Sequence, residues 1–155
     1  MAATSFGLRS TGRIGDTSLS TRLSGAIRGE VLFDAFSRGR YATDASHYQI
    51  EPIGVTVPRD SDDVRAILEI ADSEGLPVLP RGAGTSQCGQ TIAEAIVMDM
   101  SRHMNGLLTL NTEERTATVQ PGIVLDHLNA ALKPHGLWFP VDISTSSQAT
   151  IGGMV

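Results

Sequence analysis

The segment Pro80-Arg81-Gly82-Ala83-Gly84-Thr85-Ser86 carries the residue types most suited to chemistry in this 155-residue chain. Gly82 and Gly84 leave the backbone bare, so a bulky anion can approach successive N–H groups closely. Thr85 and Ser86 add hydroxyl donors. Such a loop can cradle a pyrophosphate, and it can equally be a tight connection; the residues alone leave both readings open. Two common phosphate motifs do not fit. A Walker loop needs Gly-Lys followed by Ser or Thr, and this segment has no lysine. A dinucleotide fingerprint needs G-x-G-x-x-G opening a helix, whereas Gly89 lies five residues beyond Gly84 and the chain then leads into another strand.

A second polar stretch holds Ser144, Thr145, Ser146, Ser147, Gln148 and Thr150, followed by Gly152-Gly153. A linker has the same composition. This stretch, however, lies between apolar runs, and two donor-rich loops in one domain suggest one shared anionic ligand. The remaining reactive side chains offer less. His47, His103, His127 and His135 lack metal-ligand spacing, and no metal is expected. His47 alone stands beside a polar loop. Cys88 reads as a small residue packed in the glycine loop, with nothing adjacent to activate it. Asp44 reads as a turn aspartate.

The elements that must position these loops follow from hydrophobic patterning. Gly54-Val55-Thr56-Val57 is a short β-rich run stopped by Pro58. Asp60 or Ser61 caps a helix with Asp62 and Asp63 in its first turn, where the helix dipole favours negative charge. Val64, Ile67, Leu68 and Ala71 mark its buried face, and Gly75 its end. Pro77 to Pro80 is a second strand, so the unit is β-α-β with parallel strands, and the glycine loop leaves a strand's C-terminal end. Ala95 to Asp99 is a third strand. Leu107 to Leu110 and Thr116 to Gln120 flank a polar turn as a hairpin. A further helix carries Val124, Leu128, Ala131 and Leu132, with Gly136 beyond it. The N-terminal part, residues 1–40, reads as a tail with a short helix capped by Thr17 or Ser18 and ending near Arg28. Tyr41 to Ser46 reads as a loop. The fold class is α+β (α/β): a small parallel β-α-β sheet flanked by helices, plus a β-hairpin.

Bulk properties bound the function. A net charge of −5 disfavours nucleic acid, whose phosphate backbone needs a basic face. The single cysteine excludes an internal disulfide or an iron–sulfur cluster ligated by cysteines of this chain. No apolar run is long enough to span a bilayer. Arg9, Arg13, Arg22 and Arg28 suit a mitochondrial presequence, but Asp16 and Glu30 oppose it, so the expected compartment is the cytoplasm, with peripheral membrane attachment open. The sequence stops at Ile151-Gly152-Gly153-Met154-Val155, which reads as a fragment of a longer protein.

Taken in order, several segments resemble one family. They are Pro80 to Ser86, Cys88-Gly89-Gln90, Val119-Gln120-Pro121-Gly122, Pro140 to Ser146, and Ala149-Thr150-Ile151-Gly152-Gly153. The family is the vanillyl-alcohol-oxidase/p-cresol-methylhydroxylase type of FAD-binding domain. Tyr41 to Ser46 and Val57-Pro58-Arg59-Asp60 look like its D-lactate dehydrogenase and glycolate oxidase branch. The resemblance covers roughly residues 40 to 155, which implies an FAD-binding domain over 41–155, incomplete at its C-terminus. It implies two α/β subdomains with FAD between them, this chain holding the first and the opening of the second. It assigns Pro80, Arg81, Gly82, Ala83, Gly84, Thr85, Ser86, Gly89 and Gln90 to the FAD pyrophosphate. It also sets Pro140, Ser144, Thr145, Ser146, Thr150, Ile151, Gly152 and Gly153 along the same cofactor. Thr85 stands where some relatives carry a flavin-linked histidine, so the FAD is expected to be non-covalent. Val141-Asp142-Ile143-Ser144 departs from the family's Pro-Asp-Pro-Ser, which loosens that turn.

The implied activity is oxidation of a small-molecule 2-hydroxy acid such as D-lactate or glycolate, by hydride transfer to FAD. Catalytic residues are expected beyond Val155. An electron-acceptor protein or an iron–sulfur domain outside this chain is an implied partner. The alternatives are a nucleotide- or anion-binding module without redox activity, or an inactive fragment.

Overall fold

The computed structural model describes residues 12–155, so the start of the N-terminal tail, including Arg9, lies outside the described residues. Helix α1 spans Thr17–Ala26 and is capped by Asp16, whose carboxylate accepts from the Ser18 and Leu19 amides. The expectation of a Thr17 or Ser18 cap is therefore off by one residue: Asp16 carries the stronger acceptor and also pairs with Arg13. A short strand β1, Glu30–Leu32, and helix α2, Ala35–Tyr41, follow. Neither is expected from the sequence. Each is too short for periodicity to register.

Strand β2 (Gly54–Val57), helix α3 (Ser61–Ser73), strand β3 (Val78–Arg81) and strand β4 (Ile96–Asp99) form the central unit. The sheet order is β1-β2-β4-β3. β4 is parallel to both β2 and β3, as the β-α-β reading requires, and β1 joins β2 antiparallel, which makes the sheet mixed. Every residue of β2 and β4 is buried, the pattern of central strands covered on both faces. β3 is the edge strand. That position tolerates Pro80, which has no N–H to donate to a further neighbour.

Helices α1 and α3 share one core with the sheet, in which Leu19, Leu23, Ile67 and Ala71 pack with Ile53, Ile96 and Met98. In α3 the buried face is Asp63, Ile67 and Ala71, and Leu68 turns outward with 46% of its surface exposed. The expected face is thus rotated toward Asp63. Its buried carboxylate accepts from the Arg28 and Arg59 amides at 2.9 Å each, tying the helix start to the neighbouring turns.

Because β3 and β4 are parallel neighbours, the chain must return from the C-terminal end of one to the N-terminal end of the other. Residues 82–95 make that return without a helix, so the glycine loop occupies the place a crossover helix would take. Beyond the sheet, β5 (Leu107–Asn111) and β6 (Thr116–Val119) form a separate antiparallel hairpin. Helix α4 (Leu125–Leu132) buries Leu125, Leu128 and Leu132. Ala131, expected on that face, is exposed, because Leu125 takes the inward position. A 3₁₀ turn at Lys133–His135 ends on Gly136 at φ +67, the left-handed stop that the sequence predicts. The last element is the single helical turn α5, Ile151–Met154.

Candidate functional site

The glycine loop hangs from the end of β3, and three anchors fix its course. The Arg81 carbonyl accepts from the Met100 amide at 2.9 Å. The Gly84 carbonyl accepts from the Ala45 amide at 3.1 Å, which draws the loop against the segment after α2. Ser86 Oγ bonds the Gln90 side chain and accepts from the Cys88 amide, which closes the loop's second half into a turn. Gly84 and Gly89 take φ values of +71 and +77, the left-handed conformation glycine adopts without strain. Among the described residues, none of the backbone amides from Gly82 to Gln87 donates to a protein acceptor. A run of bare N–H groups in a loop concavity is suited to holding an anion.

The second polar stretch is fastened differently. Ala149 and Ile151 pair through their backbones with Leu125 and Ile123, and the Gly152 amide donates to the Pro121 carbonyl at 2.8 Å. A Cβ on Gly152 would stand 2.6 Å from the Pro121 ring, so the Pro121-Gly122 and Gly152-Gly153 pairs seen in the sequence meet here. This docking brings Thr150 beneath the glycine loop. Any Cβ on Gly82 would overlap Thr150 Oγ1, and one on Gly153 would stand 3.1 Å from the same atom. Thr150 is buried, and its Oγ1 has no hydrogen-bond partner among the described residues. Buried hydroxyls are normally satisfied, so an orphaned one at the floor of a cleft points to a missing ligand atom or water.

The two stretches enclose a cleft of about 490 Å³. Of the candidates read from the sequence, Gly82, Ala83, Thr85, Ser86, Gln90, Thr145, Thr150 and Gly153 line it. Gly84 and Gly89 shape the loop behind it, Gly89 lying under the Tyr48 ring. Pro80, Pro140 and Ser144 are exposed and stand outside the lining, and Ser146 uses its carbonyl to accept from the Asp126 amide. Ile151 lines a different, apolar groove. Gln87, Cys88, Thr91, Ile143, Ala149 and Met154 complete the cleft without having been singled out as ligands. Cys88, expected to be packed, is exposed. Thr91 had no local signal, since its hydroxyl is placed by Asp44, 47 positions away in sequence, at 3.0 Å.

Arg81 differs from its neighbours in the loop. Its side chain turns inward, where Nη1 donates to the Tyr41 carbonyl at 3.2 Å and the Thr91 carbonyl at 3.0 Å. Nη2 donates to the Thr43 carbonyl at 2.9 Å. The guanidinium carbon lies 5.3 Å from the centre of the Tyr41 ring. Burial lowers the Arg81 pKa from its ordinary value, and the nearby Tyr41, Asp44 and Asp99 act against that shift. Burial and then a 2.6 Å hydrogen bond to Asp99 push the Tyr41 phenol up to about 12, so it stays a donor. None of the four histidines joins the cleft lining: His47 stacks on Tyr48, and His103 sits 3.5 Å from Glu30. Among the described residues no group of His, Cys, Asp and Glu could hold a metal ion, and no helix is long and apolar enough to cross a membrane.

Comparison with known proteins adds to this geometry. A family described as an FAD binding domain matches residues 52–155. A D-2-hydroxyglutarate dehydrogenase of Pseudomonas putida is 46% identical over 132 residues, covering 83% of this chain and 13% of the relative. The glycolate oxidase subunit GlcD of Bacillus subtilis is 38% identical over 133 residues, covering 83% of this chain and 28% of the relative. The chain therefore spans less than a third of the length of these curated relatives. Among solved structures, alkyldihydroxyacetonephosphate synthase superposes with a TM-score of 0.76 at 20% identity, over 88% of this chain and 30% of the other. A variant of BBE-like 1 from Physcomitrella patens gives 0.73 at 20% identity, over 87% and 29%.

Proposed function

The chain belongs to the FAD-binding domain family, and from that membership we propose that the cleft between Gly82 and Thr150 holds the pyrophosphate of FAD within a flavin-dependent oxidoreductase that oxidises a 2-hydroxy acid. The observation that carries the site is the orphaned Thr150 hydroxyl facing the unpaired amides that follow Gly82. The residues fit the group: among the described residues no carboxylate lines the cleft, so a diphosphate meets N–H and O–H donors rather than like charge. The net charge of −5 is no obstacle, because the donors are local and uncharged.

In this reading the amides of Gly82 to Gln87 and the hydroxyls of Thr85, Thr145 and Thr150 bind and orient the cofactor. Thr85 offers no imidazole for a flavin linkage, so binding is non-covalent. Bound flavin supplies a two-electron acceptor for the hydride on the substrate α-carbon. The residues of this chain fix where that acceptor lies. The substrate class follows from the similar D-2-hydroxyglutarate dehydrogenase and glycolate oxidase subunit, whose named substrates are both 2-hydroxy acids. An acceptor protein or iron–sulfur domain outside this chain would take the electrons onward. We assign the cofactor-holding unit to residues 41–155, buttressed by α1, which packs in the same core, and by β1, which pairs with β2. The cytoplasm, with or without peripheral membrane attachment, remains the proposed compartment.

Titration of the purified chain with FAD, followed by flavin fluorescence, tests the site. Saturable binding with a resolved flavin spectrum is expected, and ADP should compete. Binding of ADP or pyrophosphate as tightly as FAD would instead favour a plain anion-binding module. No binding of any of the three would leave an inactive fragment.

A further inference from the structure

We propose that Arg81 is a positioning residue of the glycine loop, clamping three backbone carbonyls to hold the loop open for FAD, and is not itself a pyrophosphate ligand. The inference rests on the FAD reading of the cleft. Its basis is the direction of the guanidinium, whose donors reach the carbonyls of Tyr41, Thr43 and Thr91. Arg81 begins the loop and Thr91 ends it, so one contact closes the loop on itself. The other two fasten it to the last residue of α2 and to the segment that follows. The same segment returns a bond from the Ala45 amide to the Gly84 carbonyl.

A phosphate approaching this guanidinium from the carbonyl side would meet three partial negative charges. From the loop side it would meet Gly84, whose added Cβ would stand 2.9 Å from the guanidinium carbon. The planar fork of arginine suits several carbonyls in fixed directions, and a lysine ammonium does not reproduce it. Arg81 thus supplies shape to the loop while the bare amides supply the contact.

The test compares Arg81→Lys and Arg81→Gln with the wild-type chain, by two measurements. The first is amide hydrogen exchange on ligand-free protein. Both variants should exchange at least about tenfold faster at Ala45, Cys88 and Gln90, while the amides of β2 and β4 keep their protection. A merely global loss of stability would speed exchange in the sheet as well, and that result overturns the proposal. The second is FAD affinity across a salt series. A positioning role weakens binding about tenfold or more in both variants and leaves its salt dependence unchanged. A direct ion pair predicts near-normal binding by Arg81→Lys and a shallower salt dependence for Arg81→Gln, and this outcome also overturns the proposal. If Arg81→Gln does not fold, Arg81→Lys decides alone, since it keeps the charge and loses the fork. Failure of the wild-type chain to bind FAD would reject the FAD reading, and the exchange measurement would still judge the clamp.

Discussion

The four-stranded sheet and the β5–β6 hairpin meet the need for burial in opposite ways. Every residue of β2 and β4 is buried, and helices α1 and α3 seal the core beside them. The hairpin strands are largely exposed, and its few inward residues, Leu107, Leu110 and Val119, rest on Ile123, Leu128 and Leu132. The cavities beside the two regions differ in their donors. The cleft below the glycine loop sets hydroxyls and bare amides beside Ile143, Ala149 and Met154, whereas the groove of about 670 Å³ beside the hairpin sets Arg115 and Thr116 among Leu, Ile, Val, Phe and Trp side chains. Trp138 leaves 66% of its surface in solvent there. Burial is thus deepest where the glycine loop is attached, whereas the second donor stretch is fastened to Pro121, Ile123 and Leu125 on the hairpin side. A cleft that must keep unpaired N–H groups apart needs a stiff base, and for the glycine loop the buried sheet provides it.

Truncation in the two regions should separate them most strongly. Ile96→Ala removes a fully buried side chain between β2 and β3 and should cost about 2–5 kcal/mol. Leu108→Ala, at a side chain 58% exposed on β5, should stay within about 0.5 kcal/mol of wild type. Urea unfolding of both variants measures the contrast. Equal losses would mean that the hairpin is as well buried as the sheet and would remove the distinction.

A smaller effect tests whether the cleft depends on close approach rather than on the sheet. Gly82→Ala drives a methyl group into Thr150 Oγ1, which forces the loop off the second polar stretch. Overpacking of this kind costs about 1–3 kcal/mol. FAD affinity should fall at least about tenfold, the equivalent of ~1.4 kcal/mol. Calorimetric titration alongside thermal unfolding reads both quantities. Unchanged affinity would show that the two stretches need not meet for the cofactor to bind.

The same contrast explains what the sequence made legible. The strands β2 and β4 are visible because central parallel strands are short apolar runs, and α3 because its Asp60 cap and Gly75 stop bracket a clear periodicity. The glycine loop is visible because bare backbone needs glycine. The strand β1 and helix α2 are not visible, since three and seven residues leave no period to read. The inward turn of Arg81 is also hidden, because its partners are carbonyls that any residue would supply at positions 41, 43 and 91. Motif position groups Arg81 with the glycines as one loop, and only the three-dimensional path shows that its side chain leaves on the other side. Ile151 illustrates the same limit: it follows Thr150 directly yet lines the apolar groove.

The smallest effect expected is also the one whose sign is most informative. Thr150→Val keeps the shape of the side chain and removes the orphaned hydroxyl. A buried hydroxyl without a partner carries a desolvation cost of about 1–3 kcal/mol that an isosteric methyl does not. In the ligand-free chain the valine variant should therefore be as stable as wild type or more stable, by up to about 1 kcal/mol. FAD binding should move the other way and weaken, because the hydroxyl that the ligand satisfies is gone. Stability and affinity shifting in opposite directions is the signature of a group kept for a ligand. If Thr150→Val instead destabilises the free chain and leaves FAD affinity untouched, the hydroxyl is already satisfied by bound water, and Thr150 belongs to the packing beneath the loop rather than to the cofactor.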